Sequence, residues 1–303
     1  MDGAESMTAA TSEGSSRGPS TPRLPVDVCE RLIDHVAMGL DLNFGSMKDE
    51  PHHAALTSCA LVCRDWYYLT WYHLRQRIHL RDREDVLSLS KTLRAKPRLR
   101  EVIRQVGISG TSPGKRQAIR HLGMFAATLV GKAPRLSRIT IQNAEWTIGS
   151  VRMEDIGYLA TFSSMNTLIL RNVTLPSVAH LSHLVSALPR LRDFTCSRVS
   201  CLQKQQLSLA PLPLNCANMY SLSVFSDPPA VEDLLVYISR ASRVRVLYLG
   251  VVGELAPSGA VSRSQTLLDA SSTSAERVIL TWGIEHGYFV DVGDMDAMIG
   301  KYS

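Results

Sequence analysis

A spacing rule constrains this chain more than any chemical motif. Pairs of apolar residues one position apart recur at Ile78/Leu80, Val106/Ile108, Ile139/Ile141, Leu168/Leu170, Phe194/Cys196, Leu222/Val224, Leu247/Leu249 and Val278/Leu280. Their first members lie 28, 33, 29, 26, 28, 25 and 31 residues apart. Such alternation marks a short strand with one buried face. Several pairs share a lead-in, L-x-x-h-x-h, whose first position is Leu136, Met165, Leu191, Met219 or Val244. Helical patterns fill the intervals at Arg83–Ala95, Lys115–Gly131, Met153–Phe162, Ser177–Leu188 and Val231–Arg240. Ser177 suits an N-cap, and Pro97, Pro134 and Pro189 act as stop signals.

One strand and one helix in about 29 residues cannot bury their own apolar face, but stacked units bury a continuous core. The predicted fold is therefore α/β: a solenoid over residues 75–280 with a parallel sheet on one side. Alternating strands and helices also build a compact doubly wound domain, whose strand order reverses. The repeated lead-in favours the stacked form. In that form the x positions point outward and offer a binding surface: Ser137, Arg138, Thr140, Gln142, Asn166, Thr167, Ile169, Arg171, Arg192, Asp193, Thr195, Tyr220, Ser223, Phe225 and Tyr248. The candidate substrate-binding residues among them are Arg138, Gln142, Arg171, Arg192, Tyr220, Phe225 and Tyr248.

The segment before the repeats has a different texture. Residues 1–22 hold sixteen Ser, Thr, Gly, Ala or Pro and no aromatic, and are expected to be a disordered tail. In LPVDVCERLIDHV, Pro25 suits the first helical position and Asp27 and Glu30 the first turns, while Val28, Leu32, Ile33 and Val36 recur at helical spacing. Residues 37–55, with Gly39, Gly45 and Pro51, read as an inserted loop. Leu56–Leu69 reads as a second amphipathic helix with Leu56, Cys59, Cys63 and Trp66 on one face. Residues 281–303 read as a C-terminal cap or tail.

Charge is divided along the chain. Residues 1–63 carry 4 basic and 9 acidic side chains, residues 64–138 carry 17 and 5, and residues 139–303 carry 12 and 14. The basic middle raises a nucleic-acid reading, but Trp66, Tyr67, Tyr68, Trp71 and Tyr72 precede the densest basic run instead of interleaving with it, as base stacking would need. Nucleic acid is accordingly the less favoured partner. The N-terminus lacks the pattern of a secretory signal and no apolar run is long enough to span a membrane, so a cytoplasmic or nuclear location is expected, with the six cysteines reduced.

No chemical motif survives its own mechanism. Gly110-Thr111-Ser112-Pro113-Gly114 matches a nucleophile elbow, yet the oxyanion hole needs an N–H on the residue after the serine and Pro113 has none. His52, His53, Cys59 and Cys63 do not have a common zinc spacing, and both cysteines fall on an apolar helix face. His180 and His183 have no acidic residue within a turn, and Gly114-Lys115 and Gly131-Lys132 lack the rest of a phosphate loop. The expectation is a non-enzymatic chain with no metal and no cofactor.

LPVDVCERLIDHV followed by LTSCALVCRDWYYL resembles an F-box. The family opens with Leu-Pro-x-[Asp/Glu] and an apolar helix, here Leu24, Pro25 and Asp27 with Val28, Leu32, Ile33 and Val36. It closes with Leu-Val-Cys-[Lys/Arg]-x-Trp, here Leu61, Val62, Cys63, Arg64 and Trp66. The loop at Ala37–Ala55 is longer than the motif usually shows. An F-box over residues 23–74 followed by irregular leucine-rich repeats is similar to the large F-box families of basidiomycete fungi, whose textures are matched at Leu80–Val86 and Leu188–Leu191. The resemblance implies a substrate-recognition subunit of a Skp–cullin–F-box ubiquitin ligase. It would bind a Skp-type adaptor, and through it a cullin, by Leu24, Pro25, Val28, Leu32, Ile33, Leu61, Val62 and Trp66. The repeats would hold a protein substrate. The alternative is a nucleic-acid-binding or scaffold repeat protein that uses residues 64–138 and has no ligase role.

Overall fold

The structure, a computed structural model, describes residues 25–40, 51–111, 115–147, 149, 151–203, 216–225, 227–252 and 259–283. The expected tail at 1–22, Leu24, the middle of the inserted loop, Ser112–Gly114 and residues 284–303 lie outside that set. Three helices come first: α1 (Val26–Gly39), α2 (Pro51–Cys59) and α3 (Arg64–Gln76). Strands and helices then alternate. They are β1 (Arg77–Leu80), α4 (Arg83–Ala95), β2 (Gln105–Ser109), β3 (Gln117–Ala118), α5 (Leu122–Leu129) and β4 (Arg138–Glu145). There follow α6 (Met153–Gly157), β5 (Thr167–Leu175), α7 (Val178–Ser186), β6 (Asp193–Ser197) and β7 (Ser200–Cys201). The last are β8 (Ser221–Phe225), α8 (Pro229–Ala241), β9 (Val246–Val252), α9 (Gly259–Ser271) and β10 (Arg277–Gly283).

All strand pairings are parallel, and the main order is β1-β2-β4-β5-β6-β8-β9-β10. Each strand therefore lies beside its sequence predecessor and the order never reverses, unlike a doubly wound sheet. The register is that of the h-x-h pairs: Ile78 opposes Val106, which opposes Ile139, then Leu168, Phe194, Leu222, Leu247 and Val278. Helices α4 to α9 likewise each pack on the next. The lead-in residues Leu136, Met165, Leu191, Met219 and Val244 are all buried between the two layers, as is Ile103, which holds the same place before β2.

The backbone at each strand start repeats the same device. The carbonyl of Arg104 accepts N–H groups from Ser137 and Arg138, that of Ser137 from Asn166 and Thr167, and that of Asn166 from Arg192 and Asp193. Arg192, Tyr220 and Arg245 carbonyls continue the series. At the far end, Asn143, Asn172 and Arg198 stand at equivalent positions with φ of 48°, 53° and 53°. This left-handed kink redirects the chain into a second short parallel ribbon, β3-β4-β5-β7. Asn172 Nδ2 donates to Asn143 Oδ1 at 2.8 Å. Arg116 spans the ribbon, donating to Asn172 Oδ1, Thr174 Oγ1, Ser200 Oγ and the Arg198 carbonyl.

Several boundaries differ from the sequence reading. Leu56–Leu69 is not one helix: Ala60–Cys63 is a turn, and Cys63 is extended before α3. The break lets Trp66, Leu69 and Leu74 pack against Ile33, Leu40 and Leu56, while Trp71 packs on the sheet core. The loop expected at 37–55 is helical at both ends. There the ring of the exposed His52 crosses Gly39, where a Cβ would clash. Pro25 is the N-cap, one place before α1. Only Leu122–Leu129 of the expected Lys115–Gly131 helix forms, because Gln117–Ala118 pairs with β4. Ser177 is an N-cap, but its hydroxyl meets His180 Nδ1 at 2.9 Å instead of a backbone amide. Residues 281–283 belong to β10.

Two buried polar groups give stability tests. The Thr140 hydroxyl is fully buried and has no hydrogen-bond partner. Thr140→Val should therefore raise stability by about 1 kcal/mol, seen as a higher urea midpoint. A lower midpoint would contradict it. Asp227 Oδ1 accepts the Val199 N–H at 2.7 Å, while Oδ2 is buried and unpartnered. Burial, opposed by that hydrogen bond and reinforced by Glu232, pushes the Asp227 carboxyl from 3.8 up to about 7. The folded state therefore holds this proton more tightly than the unfolded state. Its stabilisation is complete below about pH 4 and is lost as the pH rises through about 7, a cost approaching about 4 kcal/mol. Asp227→Asn keeps an acceptor for Val199 and should raise the midpoint at pH 8 but not at pH 4. Equal effects at both pH values would refute this.

Candidate functional site

Two surfaces are candidates, one on the three helices and one on the sheet. In α1, Cys29, Ile33 and Leu40 turn inward, with Val36 and Ala37 against the same core. The neighbouring stripe, Pro25, Val28 and Leu32, follows i, i+3, i+7 spacing and is exposed. The turn between α2 and α3 exposes Leu61 at 85% and Val62 at 63%. Exposed Val26, Met38, Tyr67, Tyr68 and Tyr72 add apolar surface that the sequence reading missed. Tyr68 and Tyr72 are four apart on α3, and helical spacing would have paired them. Arg64 lies 5.8 Å over the Tyr68 ring, and Tyr67 meets it edge-on.

Two of the expected adaptor-binding residues are placed differently. Ile33 is 1% exposed and is a centre of the helical core. Trp66 is half-buried against that core, because the helix break turns it inward. Pro25, Val28, Leu32, Leu61 and Val62 are on the surface. His73 Nε2 meets Asp34 Oδ1 at 2.9 Å, tying α3 to α1 beside a cleft of about 360 Å³ between the helices and the first strands.

On the sheet, alternation puts three in-register rows on the face away from the h residues. One row is Arg77, Gln105, Arg138, Thr167, Asp193, Ser221, Val246 and Arg277. The next holds His79, Gly107, Thr140, Ile169, Thr195, Ser223, Tyr248 and Ile279, and the third includes Ser109, Gln142, Arg171, Ser197, Phe225, Gly250 and Thr281. Arg138, Arg171, Phe225 and Tyr248 are half-exposed there. Gln142, expected to be a binding residue, is only 6% exposed, and Thr140 is buried too. At the interstrand spacing of about 4.8 Å, the longer stems beside these side chains shade them.

Charge on this face is uneven. Burial and then the charge of Arg138 press the Arg171 guanidinium below its ordinary pKa. Arg138 also lies in the field of Asp193, whose carboxyl is raised by burial against the pull of Arg192, a Thr167 hydrogen bond and Arg138. Arg192 and Tyr220 sit not within the rows but at the strand starts, where they are exposed, with Arg192 5.8 Å over the Tyr220 ring. Phe225 lies across Gly250, where a Cβ would strike its ring, leaving a low apolar floor beside Tyr248.

The basic run of residues 64–138 is divided between the layers. Arg77 and Arg138 belong to the sheet, whereas Arg94, Arg100 and Lys132 cluster on the helix side. Arg135 pairs with Glu101 at 3.0 Å, and Arg81 with Asp85 at 3.7 Å. Among the described residues, no group of three or more His, Cys, Asp or Glu could hold a metal ion, and no helix is long and apolar enough to cross a membrane. His53 and Cys59 are half-buried and Cys63 is exposed. Compared with known proteins, the chain matches no family model and no curated protein.

Proposed function

We propose that the chain is an F-box protein. In this reading residues 25–76 are the adaptor-binding head, and the consecutive parallel sheet with its helices is an irregular leucine-rich-repeat solenoid. The protein recognises substrates for a Skp–cullin–F-box ubiquitin ligase and performs no chemistry itself. One observation carries the reading. Three short helices spend only a few residues on their own core, yet expose Pro25, Val28, Leu32, Leu61 and Val62. So much exposed apolar surface on so small a unit marks an interface. Ile33, which is buried, and Trp66, which is half-buried, shape the head from within.

The open face of the sheet is the substrate surface in this reading, with Arg138, Arg171, Phe225 and Tyr248 as its accessible anchors. The division of basic residues between two layers weighs against a polyanion-binding face, which would need them on one side.

The test is capture of a purified Skp-type adaptor. Wild type should bind it. Val62→Asp and Leu32→Asp should each weaken capture by at least about 30-fold, the equivalent of about 2 kcal/mol for an interface hot spot. Both positions are exposed, so thermal unfolding should be unchanged. Failure of wild type to capture the adaptor would overturn the assignment. A second measurement bears on the nucleic-acid alternative: binding to single-stranded oligonucleotides should be weak and unchanged by Arg138→Gln. Tight binding that falls steeply with salt would favour that alternative.

A further inference from the structure

Within the open face, cationic and apolar ends are separated by a fixed distance. At the cationic end, the Arg171 side chain is half-buried within the field of Arg138, and no side-chain hydrogen bond or ion pair joins it to another described residue. Arg138 has Asp193 nearby as a counter-charge. Arg192 is out at the strand start over Tyr220. Asp193 is shared between Arg192 and Arg138, so Arg171 has no counter-charge of its own there. A desolvated guanidinium without a partner favours a planar carboxylate that it can grip through two parallel N–H groups. At the apolar end, the Phe225 ring on β8 lies across Gly250 on β9, and Tyr248 precedes that glycine by two residues on the same face.

From β5, which carries Arg171, to β9, which carries Tyr248, there are three lateral steps through β6 and β8. At about 4.8 Å a step, Phe225 is about 10 Å from Arg171 in its own row and Tyr248, in the next row, about 16 Å, so a side chain seated between the two lies about 13 Å away. An extended chain advances about 3.4 Å per residue, so it covers the gap in about four residues. Taking the open face as a protein-recognition surface, as proposed above, we infer that it binds an extended segment of a partner protein lying across the strands. That segment places an Asp or Glu over Arg171 and an apolar side chain about four residues away, against Tyr248 and Phe225. One unpartnered guanidinium is matched by one carboxylate, so recognition does not require phosphorylation.

The experiment titrates the full chain into fluorescein-labelled twelve-residue peptides and reads anisotropy. Each peptide holds one Glu and one Leu, two, four or eight positions apart, in a Gly/Ser/Thr background. The four-position peptide should bind at least tenfold more tightly than the other two. Arg171→Gln and Tyr248→Ala should each cost at least tenfold with that peptide and abolish the dependence on spacing. Both side chains are on the surface, so circular dichroism and thermal unfolding should match wild type. Equal binding at all spacings, or no effect of Arg171→Gln, would overturn the inference. So would a tenfold gain when phosphoserine replaces Glu, which would make the site a phosphate reader. Displacement of the peptide by a single-stranded oligonucleotide would also overturn it, in favour of a polyanion. Adaptor capture is measured on the same preparation. Peptide failure with capture intact sinks this inference alone, and the reverse result sinks the adaptor reading alone.

Discussion

The shared carbonyl at each strand start is the interaction on which the rest of the structure depends. Every backbone N–H in the lead-in must find an acceptor, and here two successive amides converge on one carbonyl of the preceding unit. The device recurs from Arg104 through Ser137, Asn166, Arg192, Tyr220 and Arg245. It fixes where each strand begins relative to its neighbour, and parity does the rest. A slip of one residue would turn Leu168 and Leu170 to solvent and bring Arg171 into the core. Because the start is locked, the apolar pairs from β1 to β9 stack into one continuous core with Leu280, while Val278 at the sheet edge stays exposed. The intervening residues form three aligned rows on the other face. The uneven charge of that face follows from register, since Arg138 and Asp193 fall in one row on either side of Thr167 and Arg171 falls two rows further along β5.

The helical head joins this system through a single element. Helix α3 passes into β1 without a connecting residue. It contributes Trp66, Leu69 and Leu74 to the head core and Trp71 to the sheet core, so one helix belongs to both. The turn that begins α3 is also what exposes Leu61 and Val62. The same local break thus sets the inward faces of the helix and the outward apolar corner.

Much of the sheet was legible in the sequence because its signal is strictly periodic. All eight apolar pairs lie in strands, paired with one another in order, and the lead-in residues are buried as their spacing implies. The two-residue strands β3 and β7 were not legible, since neither is long enough to show alternation, and their formation depends on the kinks at Asn143, Asn172 and Arg198. The head was legible only as a pair of apolar patterns. Ile33 and Leu32 are adjacent and equally apolar, but a turn of about 100° between them separates core from surface, and only packing decides which is which. Trp66 likewise went inward because the chain breaks at Ala60–Cys63, a tertiary choice that no local propensity requires. Burial of Gln142 was hidden for a different reason: side-chain direction is readable from parity, whereas shading depends on the length of side chains on the neighbouring strands.

The account assigns one role to the helical head and another to the open sheet face. Hydrogen–deuterium exchange on the chain with and without a purified Skp-type adaptor tests that division most directly. The predicted result is slowed exchange confined to α1, the Ala60–Cys63 turn and α3, with the strand amides of β4 to β9 unchanged. Protection on the sheet strands with none on the head, or no protection anywhere, would contradict it.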